Sequence, residues 1–217
     1  MSKVFYYKPI IDQIFEEFDK EKDSQDEDKL LNLVKRLPPE DVNKVNLGGR
    51  TVLLYASRYG YTEIVKLLID AQADVNMQNN YSGWTTLMLA SRYSNTESNI
   101  ETVKLLIDTQ ADPNIKDIRG WTALMIASIN SSTLSNIETV KLLIDAQADI
   151  NIQSSRGWTV LMLASSNSNK EINIEIVKLL LDAQVDVNIH DNSGWTALMY
   201  ASRNSNTETV KLLENCN

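Results

Sequence analysis

Few of the 217 side chains could do covalent or metal chemistry, and their spacing argues against it. His190 is the only histidine, so no histidine-rich metal set can form, and no Ser or Cys nucleophile motif stands ready to pair with it. Cys216, the only cysteine, has no internal disulfide partner and lies next to the last residue, where it reads as a bystander thiol. Acidic and amide residues recur as Asp74 with Asn76, Asp112 with Asn114, Asp149 with Asn151 and Asp186 with Asn188. Each pair alone resembles calcium ligands, yet none sits in a loop with the glycine and terminal glutamate that a calcium site of the helix-loop-helix kind needs. The expectation is that they bond to backbone in turns. The seven glycines mostly open successive sequence units and build no phosphate-cradling loop. No catalytic residue, cofactor or metal is expected. What recurs instead is Trp, Tyr and Arg, side chains that stack and donate forked hydrogen bonds, the chemistry of recognition.

The elements that must position these residues are repeats. The eight residues Gly120 to Ala127, Gly-Trp-Thr-Ala-Leu-Met-Ile-Ala, return in near copies beginning at Gly49, Gly83, Gly157 and Gly194. Their threonines, Thr51, Thr85, Thr122, Thr159 and Thr196, are 34, 37, 37 and 37 residues apart, a period expected of stacked repeats. Each unit runs Thr-x-Leu-x-x-Ala into a short helix, then a second helix such as Glu63 to Ile69, then Ala73, Asp74, Val75, Asn76 or its equivalent. The threonine hydroxyl can cap the first helix. From Thr51 to Val65 is 14 positions, whereas Thr85 to Val103, Thr122 to Val140 and Thr159 to Val177 each span 18. Three enlarged Ser- and Asn-rich loops are therefore expected, each stapled to its second helix by Ile100, Ile137 or Ile174, with polar tips free for contact.

Ahead of the repeats, Ile10, Ile11, Ile14, Phe15 and Phe18 fall at helical spacing. Lys20 to Asp28 is polar and reads as a solvated turn, and Leu30 to Leu37 reads as a second helix stopped by Pro38 and Pro39. No run approaches a membrane span or a signal peptide's apolar middle, so an intracellular, cytoplasmic protein is expected. Formal net charge is −8, which disfavours nucleic acid and anionic membrane as partners of the whole surface.

These units resemble the ankyrin repeat. The family's Gly-x-Thr-Pro-Leu-His-x-Ala, Ile-Val-x-x-Leu-Leu and Gly-Ala-Asp-Val-Asn phrases are approximated by five units, about 49–82, 83–119, 120–156, 157–193 and 194–217, the fifth ending before its Asp-Val-Asn. The resemblance implies an all-α solenoid of stacked helix-turn-helix units joined by hairpin-like turns, with residues 1–48 as a degenerate capping repeat. Departures are regular. Leu54, Met88, Met125, Met162 and Met199 stand where the family has His, which reads as apolar core. Gln72, Gln110, Gln147 and Gln184 stand where it has Gly at the helix C-terminus, a cost of up to about 1 kcal/mol per unit if positive φ is kept. The wording Gly-Trp-Thr-Ala-Leu-Met is similar to the ankyrin sets of giant DNA viruses of amoebae, which implies a host protein as partner. Leu37-Pro38-Pro39-Glu40 is similar to the opening of an F-box, but the repeat array begins almost at once.

In binders of this family, residues around the Gly-x-Thr turn and after the first helix's Ala-x pair point into a concave groove. The matching positions are Arg50, Arg58, Tyr59, Tyr81, Trp84, Arg92, Tyr93, Arg119, Trp121, Arg156, Trp158, Trp195 and Arg203, with Asn130, Asn167 and Asn204. They hold six of the seven arginines and all four tryptophans, the latter expected to form a ladder about 24–30 Å long. The resemblance therefore implies a monomeric protein-binding scaffold with an acidic or phosphorylated protein partner. The alternatives are a spacer without a groove ligand, or a ubiquitin-ligase substrate adaptor.

Overall fold

The computed structural model describes residues 8–94, 97–129, 134–166, 171–204 and 206–216. Among them there are twelve α-helices and no strand. The helices are α1 (Ile10–Phe18), α2 (Glu27–Val34), α3 (Val52–Tyr59), α4 (Thr62–Asp70), α5 (Thr86–Arg92) and α6 (Glu97–Asp108). They continue with α7 (Ala123–Ile129), α8 (Leu134–Asp145), α9 (Val160–Ser166), α10 (Glu171–Asp182), α11 (Ala197–Arg203) and α12 (Thr207–Glu214). Two rows result. The short helices α3, α5, α7, α9 and α11 pack in succession as an inner row, and α2, α4, α6, α8, α10 and α12 pack in succession behind them. Helix α1 packs on α2 and α3.

Each inner helix starts where its threonine says it should. The hydroxyls of Thr51, Thr85, Thr122, Thr159 and Thr196 accept the backbone N–H three residues on, at 3.2–3.4 Å. Helices α7 and α9 are buried on almost every side, because a neighbour lies on each flank and the outer row behind. Met88, Met125 and Met162 are each 1% exposed, so the methionine column is core through the middle of the stack. Met199 departs from that expectation at 47%, because α11 is the last inner helix and its far side meets no further one.

Four of the outer helices, α4, α6, α8 and α10, end in a Schellman arrangement. In α4, the Gln72 N–H bonds to the Ile69 carbonyl and the Ala73 N–H to Leu68, both at 2.9 Å, and the pattern returns at Gln110, Gln147 and Gln184. All four glutamines hold positive φ, from 60° to 66°, so the left-handed conformation of the family's glycine is kept.

Three boundaries differ from the sequence expectation. The polar stretch after α1 is shorter than Lys20 to Asp28: Lys22–Ser24 forms one 3-10 turn, and Asp26 caps α2 through the Lys29 N–H at 2.8 Å. Helix α2 ends at Val34, well before the prolines, which instead open a 3-10 turn over Pro39–Asp41. The third difference is at the enlarged connections. Helices α6, α8 and α10 have twelve residues each against nine in α4, so most of each insertion is an added helical turn. Ile100 and Ile137 are buried within those turns and Ile174 is half-buried; they belong to the helices, not to the loops. The loop tips at 95–96, 130–133 and 167–170 lie outside the described residues, and Asn130 and Asn167 with them.

Candidate functional site

The turns between units carry most of the residues singled out, so their construction comes first. A ladder of side-chain amides and carboxylates runs along the whole stack. Asn43 Oδ1 accepts the Asp74 N–H, Asp74 Oδ1 accepts the Asn76 N–H, Asn76 Oδ1 accepts the Asp112 N–H, and so on to Asn188 at 2.8–2.9 Å throughout. The recurring Asp and Asn are thus occupied with backbone, as expected. Among the described residues, no group of three His, Cys, Asp or Glu could hold a metal.

A second set of polar residues closes the turn tips. Asp117 Oδ1 accepts the N–H groups of Arg119 and Trp121, both at 2.8 Å, and Asp191 does the same for Ser193 and Trp195. Successive tips are bridged by Ile118 N–H to Ser82 O, Ser155 N–H to Arg119 O and Asn192 N–H to Arg156 O. Gly120 shows why the tip needs glycine: its φ is 76°, and an added Cβ would lie 2.7 Å from the Ser155 nitrogen. The turn at Asn79 is one residue longer than the others, closing from Asn79 N–H to Trp84 O rather than across four positions as at Asp117 and Trp121. Tyr81 stands on that longer turn, 72% exposed.

On this frame ten of the thirteen singled-out residues fall into two groups rather than one even ladder. Arg50, Arg58, Trp84, Arg92, Tyr93 and Arg119 line a single cleft of about 360 Å³ between α3, α5 and their turns. Its floor adds Leu54, Tyr55, Asn79, Ser82 and Leu89. The Arg58 guanidinium lies over the rings of Tyr59 and Tyr93, 5.4 Å from each centroid, and Arg92 lies over Trp84 at 5.4 Å and Tyr93 at 5.8 Å. Arg50 lies over Tyr55 at 5.6 Å. At the far end, Trp158 and Trp195 pack against Tyr200, with centroids 4.6 and 5.2 Å away, and Arg203 covers Trp195 at 5.4 Å. Trp121 and Arg156 lie between the groups, the first half-buried and the second exposed. Asn204 is tied to the Ser166 carbonyl.

The tryptophans are partly structural. All four are half-buried, Trp84, Trp121 and Trp158 against the core, and the Trp84 indole donates to Asp117 Oδ2 of the next turn at 3.1 Å. The arginines are different: among the described residues none of the six forms an ion pair, and every ion pair present uses a lysine. Arg50, Arg58, Arg92 and Arg203 lie over aromatic rings while the edges that donate hydrogen bonds are left open.

Two residues escaped the sequence reading. Tyr55 and Tyr200 occupy the position four after the capping threonine, where the middle units have Leu89, Ile126 and Leu163. The Tyr55 hydroxyl donates to Asp19 Oδ1 at 3.1 Å and accepts from Asn46 Nδ2 at 3.0 Å. That of Tyr200 donates to Asp191 Oδ2 at 2.6 Å. Burial, with the bond to Asp191 behind it, pushes the Tyr200 phenol up to about 12. Burial also pulls Asp191 upward, but its bonds from Tyr200, Trp195 and Ser193 prevail and hold its carboxyl below the ordinary value. A break in an otherwise aliphatic column was the signal that could have found both tyrosines.

The comparisons with known proteins agree with this geometry. The family model for ankyrin repeats in three copies matches residues 24–117, 72–154, 95–172 and 131–217. Over 70 residues the chain is 41% identical to the ankyrin repeat and SAM domain-containing protein 6 of Rattus norvegicus, covering 31% of this chain and 8% of that protein. Over 58 residues it is 45% identical to protein phosphatase 1 regulatory subunit 12A of Mus musculus, covering 27% and 5%. The chain thus spans less than a tenth of the length of these relatives. A crystal structure of an ankyrin repeat protein superposes with a TM-score of 0.81 at 29% identity, over 97% of this chain and 100% of the other. With matches to the family model that run from residue 24 to residue 217, and five in-phase units behind them, the chain belongs to the ankyrin repeat family.

Proposed function

We propose that this chain is a non-enzymatic scaffold that grips a protein partner through the concave face bearing Arg50, Arg58, Tyr59, Tyr81, Trp84, Arg92, Tyr93, Arg119, Trp121, Arg156, Trp158, Trp195 and Arg203, with residues 1–48 capping the stack. Ankyrin repeats are protein-interaction modules, and no helix among the described residues is long and apolar enough to cross a membrane. The observation that carries the reading is the set of six arginines without carboxylate partners in a chain of net charge −8. An arginine kept only to stiffen the stack would be paired with a nearby Asp or Glu. Four of them, Arg50, Arg58, Arg92 and Arg203, are instead poised over aromatic rings, the pairing of residue types enriched in interface hot spots. The partner is acidic or phosphorylated, and binding weakens as salt rises.

The test is affinity for a partner captured from lysate and then purified, measured with Trp121→Ala and Arg119→Ala made singly. Each variant loses more than about 1 kcal/mol of binding while its melting temperature stays close to that of the parent. Normal binding by both, with early melting of the tryptophan variant alone, would mean that the aromatic residues serve the stack and that the site lies elsewhere.

A further inference from the structure

Within that face, the cleft between α3 and α5 carries more than generic complementarity. Four arginines, Arg50, Arg58, Arg92 and Arg119, line a cleft of about 360 Å³ whose lining contains no carboxylate. Two acids bonded to lining residues are already engaged. Asp117 spends Oδ1 on the Arg119 and Trp121 N–H groups and Oδ2 on the Trp84 indole, and Asp19 accepts from the Tyr55 hydroxyl. Stacking fixes Arg50, Arg58 and Arg92 by their faces, so that their N–H edges are left for a ligand.

We propose that this cleft receives the phosphate monoester of a phosphorylated residue on the partner polypeptide. The inference rests on the groove reading above. A carboxylate offers two oxygens in one plane and a single charge, whereas a phosphate monoester offers three terminal oxygens spread in three directions and about −1.5 to −2 charges, a better match to several converging forks. The cleft volume lies at the lower end of the range of small-ligand sites, which suits one phosphorylated side chain. A nucleic acid fits less well. It would need phosphate contacts in a continuous stripe, and beyond Arg119 the face offers only Arg156 and Arg203 beside an aromatic patch, on a molecule of net charge −8.

The experiment titrates the intact chain with phenyl phosphate, inorganic phosphate, benzoate and a short single-stranded DNA. It follows the Arg Nε–H and Trp indole N–H signals by NMR. Saturable shifts are expected at Arg58, Arg92 and Trp84 with phenyl phosphate, with affinity at least about tenfold above that for benzoate. Arg58→Met and Arg92→Met each weaken phenyl phosphate by about tenfold or more, and Arg58→Lys, which keeps the charge and loses the fork, falls between. Arg203→Met, outside the cleft, leaves it unchanged. Should a Met variant melt early, the Arg58→Lys comparison decides in its place.

Equal affinity for benzoate, equal loss in Arg203→Met, or no saturation by about 10 mM would overturn the proposal. So would inorganic phosphate binding as tightly as phenyl phosphate, which would make the site one for the free ion. Tighter, steeply salt-dependent DNA binding at the same residues would replace the polypeptide by nucleic acid. Trp121 does not line the cleft. If phenyl phosphate fails to bind while Trp121→Ala still weakens the captured partner, the groove reading stands and only the phosphate site is lost.

Discussion

Glu17 shows how much a single side chain can do at the N-terminal end of the stack. It is 1% exposed, and its carboxylate accepts from Lys20 at 2.7 Å, Lys29 at 2.6 Å and the Asp26 N–H at 3.1 Å. The bonds from Lys20 and Lys29 hold its pKa at about 2, against 4.5 for a free glutamate. Because the folded value is the lower one, the unfolded chain takes up the proton first. The stabilisation is therefore complete above about pH 4.5 and fades as pH falls towards 2. Glu17→Gln should cost about 1–3 kcal/mol at neutral pH and flatten that acid limb of the melting profile, which calorimetry at several pH values would check. A parent and variant with parallel acid limbs would show that the fold does not depend on this charge. By sequence, Glu16 and Glu17 fall together on the polar side of one amphipathic stretch; in the fold Glu17 is buried and bonded by Lys20, Lys29 and the Asp26 N–H, whereas Glu16 is exposed and pairs with Lys8. The arginine face was more legible, because its positions follow the repeat register. Its division into a cationic cleft and an aromatic patch was not, for that depends on Tyr55 and Tyr200, which break the pattern at the two ends of the inner row.

At the scale of the element, the repeat period placed every inner helix and its threonine cap, because capping and Leu-Ala packing are local and recur in phase. The outer helices were less legible. Their Ser- and Asn-rich first turns read as loop by propensity, yet α6, α8 and α10 extend through them, since Ile100 and Ile137 gain burial against the neighbouring pairs. The same elements end at the positive-φ glutamines, whose exposed side chains make no hydrogen bond among the described residues that would compensate the strain. Gln147→Gly should therefore stabilise by about 0.5–1 kcal/mol, the relief of the left-handed strain exceeding the added chain entropy of glycine. In a chain of this size that is a rise in melting temperature of about 1–4 °C. A lower melting temperature would mean that the Gln147 side chain contributes packing that outweighs the strain.

At the scale of the whole molecule, contacts run between successive pairs of helices, so stability should vary along the stack rather than be shared evenly. Removing Thr122 to Trp158, which joins Trp121 to Thr159 in phase, should leave a shorter folded protein. The ladder supports this, because the Asp186 N–H can take up Asn114 Oδ1 when Asp149 and Asn151 are gone. A protein with one indivisible core would unfold under the same deletion. The ends should differ from the middle. Helix α8 has an outer helix on both flanks, α6 and α10, and α7 beneath it, whereas α12 has α10 on one side and α11 beneath. Leu213 is nevertheless 1% exposed, more covered than its place in the last unit suggested, and Val210 and Leu212 are half-buried. Coverage of the apolar face by one neighbour does not supply the second interface on which a repeat's stability depends. Buried polar groups add to the deficit: among the described residues, Asn206 Nδ2 and Thr209 Oγ1 have no hydrogen-bond partner at the start of α12. Amide exchange in the 217-residue chain should therefore be faster over residues 208–214 than over Val140 to Ile144, with opening of α12 below the global unfolding free energy. Equal protection in the two helices would mean that a second copy covers the exposed side of α11 and α12, and the mass of the protein would then rise with concentration.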